Sequence, residues 1–120
     1  MLEETVVLRN YAHIGDSVWE LFVRTYTIYK TSNAKLLHKI TTDRVKASFQ
    51  AELLKYLEEF LTDEEQEIAR RGRNLPVPIA RRSNQSEYRQ ATAFETLVGW
   101  WFSHNKSRLE EIFEKIQEKL

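Results

Sequence analysis

Two carboxylates are notable because each lies in a segment that is otherwise rich in apolar residues. Asp16 follows a glycine in a helical apolar pattern, and Glu95 is the only ionisable residue between Ala91 and Phe102. An ionised carboxylate is too costly to bury without a partner, so each requires a cation, either a basic side chain or a metal. Oxygen ligands suit hard divalent ions such as Mg²⁺, which use few protein carboxylates and keep several waters.

Arginine is the structural alternative to a metal at these positions. Arg9, Arg24 and Arg89 lie within plausible reach of one or the other carboxylate, and the two interpretations stay open on spacing alone. Glu20, one turn after Asp16, could also ligate a metal, although pairing with Arg24 at i+4 is the commoner use. The three histidines share no common spacing, so we expect no zinc site from them.

The elements that position these residues are predicted to be helices throughout. Apolar residues recur at three-to-four spacing and no segment alternates with a period of two, which indicates an all-α fold. The first predicted helix carries an apolar stripe of Val7, Tyr11, Ile14, Val18, Leu21, Phe22 and Thr25. The second predicted helix covers Ala34–Ile40 and breaks near Thr41–Asp43. The other four predicted helices are a third over Val45–Phe60, a fourth from Thr62 to about Arg71, a fifth around Tyr88–His104 and a sixth from Ser107 through Ile116.

Local details refine these helices. Thr62 with Glu65 and Ser107 with Glu110 have the spacing of capping boxes. Because Ala12, Trp19 and Val23 are the helical neighbours of Asp16, we expect this carboxylate to be buried in one of their contacts. Gly15 costs helix stability, which indicates a closely approached backbone there. Thr92 and Gly99 flank Glu95 at i−3 and i+4 and predict an open groove on that face.

Composition limits the class of protein. The 120 residues are 42% hydrophobic and 30% charged, which predicts one globular domain over residues 1–120. The absence of cysteine excludes a disulfide scaffold, a thiolate metal site and a cysteine nucleophile. The first residues have neither the pattern of a signal peptide nor an apolar run long enough for a membrane span, so we expect a soluble, cytoplasmic protein.

Charge is segregated although the totals cancel at 18 acidic and 18 basic residues. Six acids and no base lie between residues 58 and 67, whereas six arginines and one acid lie between residues 70 and 89. Arg70 and Arg71 complement the end of the fourth helix, but Arg81 and Arg82 lie inside a predicted loop over residues 72–87. This segment predicts contacts with phosphate, which the arginine fork suits, with a merely solvated basic loop as the alternative.

Three motifs resemble those of one family in the correct order. Residues 11–20, YAHIGDSVWE, resemble the "LGDAVLE" signature of the ribonuclease III catalytic domain, and residues 93–99, AFETLVG, resemble its "EALIGA" helix. Between them, residues 70–74, RRGRN, resemble the "RGRN" element of the Mini-III branch, which lacks a separate RNA-binding domain. The resemblance covers nearly the whole chain. It differs from typical members at Ala12 and Thr92, where they carry two further carboxylates.

The resemblance implies a specific enzyme. Its members form a two-fold homodimer that cleaves double-stranded RNA with Mg²⁺, which Mn²⁺ could replace, and their usual substrate is the precursor of large-subunit (23S) ribosomal RNA, in bacteria and plant organelles. Each protomer cuts one strand and leaves 5′-phosphate and 3′-hydroxyl ends with a short 3′ overhang. Asp16 and Glu95 are the implied catalytic and metal-binding residues. The candidate RNA-binding residues are Arg70, Arg71, Arg73, Asn74, Arg81 and Arg82.

Two other functions remain open at this point. A catalytically inactive domain that binds double-stranded RNA would tolerate the loss of Asp16 or Glu95, and both are present. A helical protein-interaction module could use Trp100, Trp101 and Phe102 as its contact patch. We expect these aromatics to fill the core and a dimer interface instead, because helices that are apolar on all sides are buried.

Overall fold

The structure, a computed structural model, describes residues 2–120, with side chains from residue 7 onward. Over this range the chain forms α-helices and short 3₁₀-helices and contains no β-strand, which confirms the predicted all-α class. The α-helices are α1 (Leu2–Thr27), α2 (Ala34–Val45), α3 (Ala47–Leu57), α4 (Asp63–Arg73), α5 (Gln85–His104) and α6 (Lys106–Ile116), and the 3₁₀-helices are Glu58–Phe60, Ile79–Asn84 and Gln117–Lys119.

Helix α5 is the centre of the fold. It packs against α1, α3, α4 and α6, and its residues Phe94, Leu97, Val98 and Trp101 are fully buried. The indole of Trp19 on α1 meets the ring of Phe94 edge to face, with centroids 5.0 Å apart. Because α5 supplies Glu95 and α1 supplies Asp16, the same packing that builds the core brings the two carboxylates together. In residues 2–120 no helix combines the length and apolar character needed to span a membrane.

Helix α1 buries a different face from the one that its apolar stripe suggests. Trp19 and Val23 are fully buried, whereas Val7 is 46% exposed and Leu21 is 65% exposed. Ile14 of the same stripe is also exposed. The physical reason is that α1 has two apolar faces, and periodicity alone does not tell which one meets the core.

The predicted break of α2 near Thr41–Asp43 is wrong, since the helix continues to Val45. The hydroxyl of Thr41 is 2.9 Å from that of Thr27 in a buried contact between α1 and α2. Asp43 pairs with Lys39 one turn earlier, at 2.8 Å. These polar groups are therefore satisfied within the helix or across the helix pair rather than by ending the helix.

One of the two predicted capping boxes is present. At the start of α4, the Thr62 hydroxyl accepts from the Glu65 amide at 3.1 Å, and the Glu65 carboxylate accepts from the Thr62 amide at 2.9 Å. The second box, at Ser107, is wrong because α6 begins earlier, at Lys106. Asn105 caps it by accepting from the Arg108 amide at 3.1 Å, and asparagine ranks with serine as an N-cap.

Candidate active site

Two glycines let the backbones of α1 and α5 touch. A Cβ atom on Gly15 would lie 1.8 Å from the carbonyl oxygen of Glu95, and one on Gly99 would lie 1.9 Å from the carbonyl oxygen of Tyr11. Any side chain at either position would force the helices apart. This confirms the close approach predicted at Gly15. It also shows that α1 itself fills the groove expected beside Gly99.

The crossing places Asp16 and Glu95 side by side although they are far apart in sequence. Gly15 contacts the backbone of Glu95 directly, so the next residue on α1 reaches the Glu95 carboxyl group, and the two carboxyl groups share a hydrogen bond. The prediction that Asp16 is buried is wrong, because Gly15, Trp19 and Val23 occupy the contact with the core and Asp16 is exposed beside it. Glu95 is half-buried.

The electrostatics of the pair follow from this geometry. Burial raises the pKa of the Glu95 carboxyl to about 8, and the hydrogen bond and the repulsion from Asp16 act in the same direction, while a hydrogen bond from Gln50 opposes them. Two carboxylates in contact cannot both ionise cheaply. At neutral pH the metal-free pair therefore holds a proton that a bound cation would displace.

The arginine alternative does not hold for these carboxylates. Arg24 pairs with Glu20 at 3.3 Å, as the i+4 spacing predicts, and Arg89 donates to the carbonyl oxygen of Arg73 at 2.8 Å. Arg9 lines the same cleft as the carboxylates but lies beyond ion-pair distance. Among the side chains of residues 7–120, no salt bridge reaches Asp16 or Glu95.

The carboxylate pair opens into a cleft of about 220 Å³ between α1, α5 and the segment after α4. Ala12 and Thr92, the two positions at which the sequence differs from the motifs that it resembles, lie in its wall. The lining residues are Arg9, Ala12, His13, Asp16, Leu75, Pro76, Tyr88, Thr92 and Glu95.

Sequence reasoning did not single out three polar residues of this cleft as parts of the site. Arg9 and His13 precede Asp16 by seven and three residues, and Tyr88 precedes Glu95 by seven. These intervals place each residue on the same helix face as its carboxylate. Helical spacing from the two carboxylates was therefore the signal that could have found them.

The donor set fits a magnesium ion. Among the described side chains, no cluster of three or more histidine, cysteine or acidic groups could hold a metal, so ligation by this chain would rest on Asp16 and Glu95. Two carboxylates are sufficient for Mg²⁺, which keeps several waters and takes oxygen atoms from a substrate phosphate. When both carboxylates are ionised they repel each other, and no basic side chain of residues 7–120 balances their charge. A bound cation would relieve this repulsion.

The arginine-rich segment adjoins the cleft. Leu75 and Pro76, which directly follow RRGRN, line the cleft, and the 3₁₀-helix Ile79–Asn84 leads into α5. Arg81 and Arg82 are exposed on that 3₁₀-helix. Their position leaves them accessible to a ligand, whereas a contact with phosphate is still a prediction.

The other four predicted RNA-binding residues differ in their surroundings. Arg70 is exposed but held by Glu67, with 2.6 Å between its Nη2 and the carboxylate. Arg73 is half-buried, with its carbonyl oxygen bound by Arg89, while Asn74 ends α4 and is exposed. Arg71 is half-buried in the same turn. The structure therefore groups these residues at the end of α4 without assigning them a ligand.

The aromatic cluster of α5 is not a surface patch. Trp101 is fully buried, and Trp100 and Phe102 are half-buried against the core. This confirms the part of the prediction that places these residues in the core, whereas their part in a dimer interface stays a prediction. It removes the patch that a protein-interaction module would have needed.

Comparison with known proteins gives one consistent family. Residues 9–106 match the family model described as "Ribonuclease III domain". The chain is 41% identical to the Mini-ribonuclease 3 of Gloeobacter violaceus, over 92% of this chain and 82% of that protein. It is 38% identical to the Mini-ribonuclease 3 of Clostridium tetani, over 88% of this chain and 72% of that protein. A crystal structure of a Fusobacterium nucleatum protein superposes with a TM-score of 0.80 at 29% identity, covering 92% of this chain and 91% of that one.

Proposed function

We propose Mg²⁺-dependent hydrolysis of double-stranded RNA as the reaction of this chain, which belongs to the ribonuclease III domain family and is an endoribonuclease. The observation that carries the proposal is the meeting of Asp16 and Glu95 at the cleft, where no basic side chain of residues 7–120 neutralises them. A structural ion pair would have looked different, as Glu65 shows by its bonds to Arg108.

The residues of the cleft have separate tasks in this reaction. Asp16 and Glu95 supply the anionic oxygens that hold the ion, and Glu95 releases its proton when it does so. When bound, Mg²⁺ supplies an activated water and neutralises the charge that develops on the phosphate. Arg9 and His13 line the same cleft and offer hydrogen-bond donors to the non-bridging phosphate oxygens. Mn²⁺ would serve in place of Mg²⁺ because it shares the preference for oxygen ligands.

RNA affinity is assigned to the arginine-rich segment. Arg81 and Arg82 are exposed beside the cleft and suit phosphate bidentately. We assign supporting contacts to Arg70, which would exchange its exposed pairing with Glu67 for phosphate at little cost, since exposed ion pairs contribute about 0–1 kcal/mol. Arg71, Arg73 and Asn74 lie at the end of α4 and complete the proposed set. Double-stranded RNA is read mainly by shape, 2′-hydroxyls and phosphates, so little sequence preference is expected from this surface.

A homodimer is the proposed assembly. Helix α5 packs on four helices of its own chain. Helix α1 instead leaves Val7, Ile14 and Leu21 exposed at intervals of seven residues. An apolar row of this kind fits a two-fold interface in which the same surface of each protomer is buried. Two clefts in one dimer would allow each protomer to cut one strand.

We propose the precursor of 23S ribosomal RNA as the substrate, in the cytoplasm. This follows from the resemblance to the Mini-III branch, whose relatives named above match the chain over most of its length. The expected products carry 5′-phosphate and 3′-hydroxyl ends with a short 3′ overhang. The test maps the RNA ends that the protein produces from a precursor transcript and compares them with those from an unrelated duplex of the same length.

The test of the proposed reaction is cleavage of a labelled RNA duplex by the purified protein with Mg²⁺, with Mn²⁺ and with a chelator. We expect cleavage with either ion, none with the chelator, and none by Asp16→Asn. Sedimentation of the same samples should show a dimer at micromolar concentration. Duplex binding without cleavage by the wild-type protein in Mg²⁺ would instead support an inactive RNA-binding domain.

A further inference from the structure

Gln50 on α3 lies behind the carboxylate pair and was not suggested by any sequence motif. It is only 2% exposed, and its Nε2 donates to Oε2 of Glu95 at 3.3 Å. The same Nε2 donates to the carbonyl oxygen of Val45, the last residue of α2, at 2.8 Å. One buried amide therefore connects the junction of α2 and α3 to the carboxylate on α5.

The two hydrogen bonds fix which end of the amide faces Glu95. An amide nitrogen carries two hydrogens, and both acceptors lie on the Nε2 side. Oε1 of Gln50 is buried and has no hydrogen-bond partner among the described residues. Turning the amide over would place Oε1 against both acceptors and lose both hydrogen bonds, so the orientation is fixed although its unsatisfied buried acceptor costs about 1–3 kcal/mol. The buried amide is thereby committed as a donor to Glu95.

We infer that Gln50 is a positioning residue for the metal-binding carboxylate of Glu95, an inference that rests on the proposed function. Ligand side chains of metal sites are held by neighbouring hydrogen bonds, and loss of such a bond costs about 10–100-fold in metal affinity or activity. The orientation of Glu95 matters here because a metal held by two carboxylates needs the oxygens of Glu95 and Asp16 directed toward one point. The donor on Gln50 holds Oε2 of Glu95 in place from the side of α3.

The test is metal binding by Gln50→Met, which keeps the length of the side chain and removes both polar atoms. Titration calorimetry with Mn²⁺ and with Mg²⁺, in the absence of RNA, should show an affinity about 10–100-fold weaker than that of the wild-type protein. The Mg²⁺ concentration for half-maximal cleavage should rise to match, while the affinity for uncleaved RNA duplex in the chelator stays unchanged.

Gln66→Met is the matched control. Gln66 also donates from Nε2 to the carbonyl oxygen five residues earlier, that of Leu61, at 3.4 Å, but it contacts no carboxylate of the cleft. The control should therefore lose a comparable helix-end hydrogen bond and keep the metal affinity of the wild-type protein. Melting curves of both variants in the chelator measure the purely structural cost.

The outcomes separate this inference from the proposed function. A Gln50→Met protein that is folded and binds both ions as tightly as the wild-type protein overturns the inference while leaving the nuclease assignment intact. A wild-type protein that neither binds the ions nor cleaves RNA overturns both. Should Gln50→Met be unfolded at 25 °C, Gln50→Leu is measured in its place. Unfolding of both variants would show that Gln50 serves the fold alone, which also overturns the inference.

Discussion

Glu65 and Glu95 are two carboxylates buried to different degrees in the same small protein, and their surroundings are opposite. Glu65, only 4% exposed, accepts from Arg108 at 2.9 Å through each oxygen and from the Trp101 indole at 2.8 Å. Glu95 faces the carboxyl group of Asp16 and receives one amide donor, from Gln50. One carboxylate joins α4, α5 and α6, whereas the other opens into a cleft.

The pKa values express this difference. Burial of Glu65 is the strongest single influence and acts to raise its pKa, but the hydrogen bonds from Arg108, from the Thr62 backbone and from Trp101 together hold that pKa below its ordinary value. Burial and Asp16 raise the pKa of Glu95 to about 8. A carboxylate that completes the fold is neutralised by the chain itself. Glu95 is left without that neutralisation, and a raised pKa at a cleft is typical of a candidate functional site.

The largest expected effect is on catalysis. Glu95→Gln should lower the rate of Mg²⁺-dependent RNA cleavage by about a thousandfold or more, because several kcal/mol of charge stabilisation are lost with the ion and each 1.36 kcal/mol is about tenfold in rate. Glu65→Gln should leave the rate per folded molecule nearly unchanged. Single-turnover cleavage, with the folded fraction measured by circular dichroism, compares the two. Equal losses of activity would remove the distinction between the carboxylates.

Stability should respond in the reverse order. Glu65→Gln removes the buried partner of the Arg108 guanidinium, whose side chain is 17% exposed, and leaves it only the more exposed carboxylate of Glu111. Breaking a buried ion pair from one side costs about 3–5 kcal/mol, and because Glu111 still balances part of the charge, we expect a loss near the lower end of that range in the free energy of unfolding by urea. Glu95→Gln in a chelator should be neutral or stabilising. A large destabilisation by Glu95→Gln would mean that Glu95 neutralises a charge in the fold.

The pH dependence of stability should have opposite signs at the two sites. Glu65 has a lowered pKa in the native state, so its contribution is present above the unfolded pKa of about 4.5 and is lost as the pH falls through the native value. Glu95 has a raised pKa, so its contribution is present below about 4.5 and is lost as the pH rises toward about 8.

Urea titrations from pH 3 to 9 in a chelator measure both slopes. The free energy of unfolding of the wild-type protein should decline on the alkaline side, and Glu95→Gln should remove about 1–2 kcal/mol of that decline. This is a fraction of what the full shift in the pKa of Glu95 would give at about 1.4 kcal/mol per pK unit. Glu65→Gln should flatten the acid side instead. A wild-type stability that does not decline between pH 5 and 8, in the same buffer as Glu95→Gln, contradicts the raised pKa that burial and Asp16 give Glu95.

Sequence pattern was enough to single out the two carboxylates that meet at the cleft but not their surroundings. An acidic residue in an otherwise apolar helix can be recognised from the sequence, and the glycine beside Asp16 indicated the close helix crossing. Convergence of residues 16 and 95 depends on tertiary packing, as does the choice between the two apolar faces of α1. Asp16 was predicted to be buried because helical neighbours such as Trp19 were taken as its contacts, whereas Gly15 makes the contact instead.

Glu65 and Gln50 show what local pattern omits. The capping box identified Glu65 correctly as a helix-start residue, but its ion pair with Arg108 spans 43 residues of sequence and had no local signal. Gln50 reaches Glu95 across 45 residues. Capping, helix class and core composition depend on neighbours along the chain and could be predicted. Partners of buried polar groups depend on which helices meet.

The smallest effect on stability is expected in the arginine-rich segment, which serves neither carboxylate. Replacing Arg81 and Arg82 by Ala should change the free energy of unfolding by no more than about 0.5 kcal/mol, because both are exposed. RNA affinity should fall, and the log–log dependence of binding on salt should flatten by about 0.7–0.9 for each lost phosphate contact. Arg24→Ala, which removes an exposed arginine paired with Glu20, is the control. A salt slope unchanged by the double substitution would show that the segment is only a solvated surface.

The most direct test of the contrast is the change in melting temperature that Mg²⁺ produces in the wild-type protein, Glu95→Gln and Glu65→Gln. A ligand that binds only the native state stabilises it, by about 1.4 kcal/mol at ten times its Kd. We predict that Mg²⁺ raises the melting temperature of the wild-type protein and of Glu65→Gln by the same amount and leaves that of Glu95→Gln unchanged. An equal rise in Glu95→Gln would contradict the assignment of Asp16 and Glu95 as the metal-binding pair.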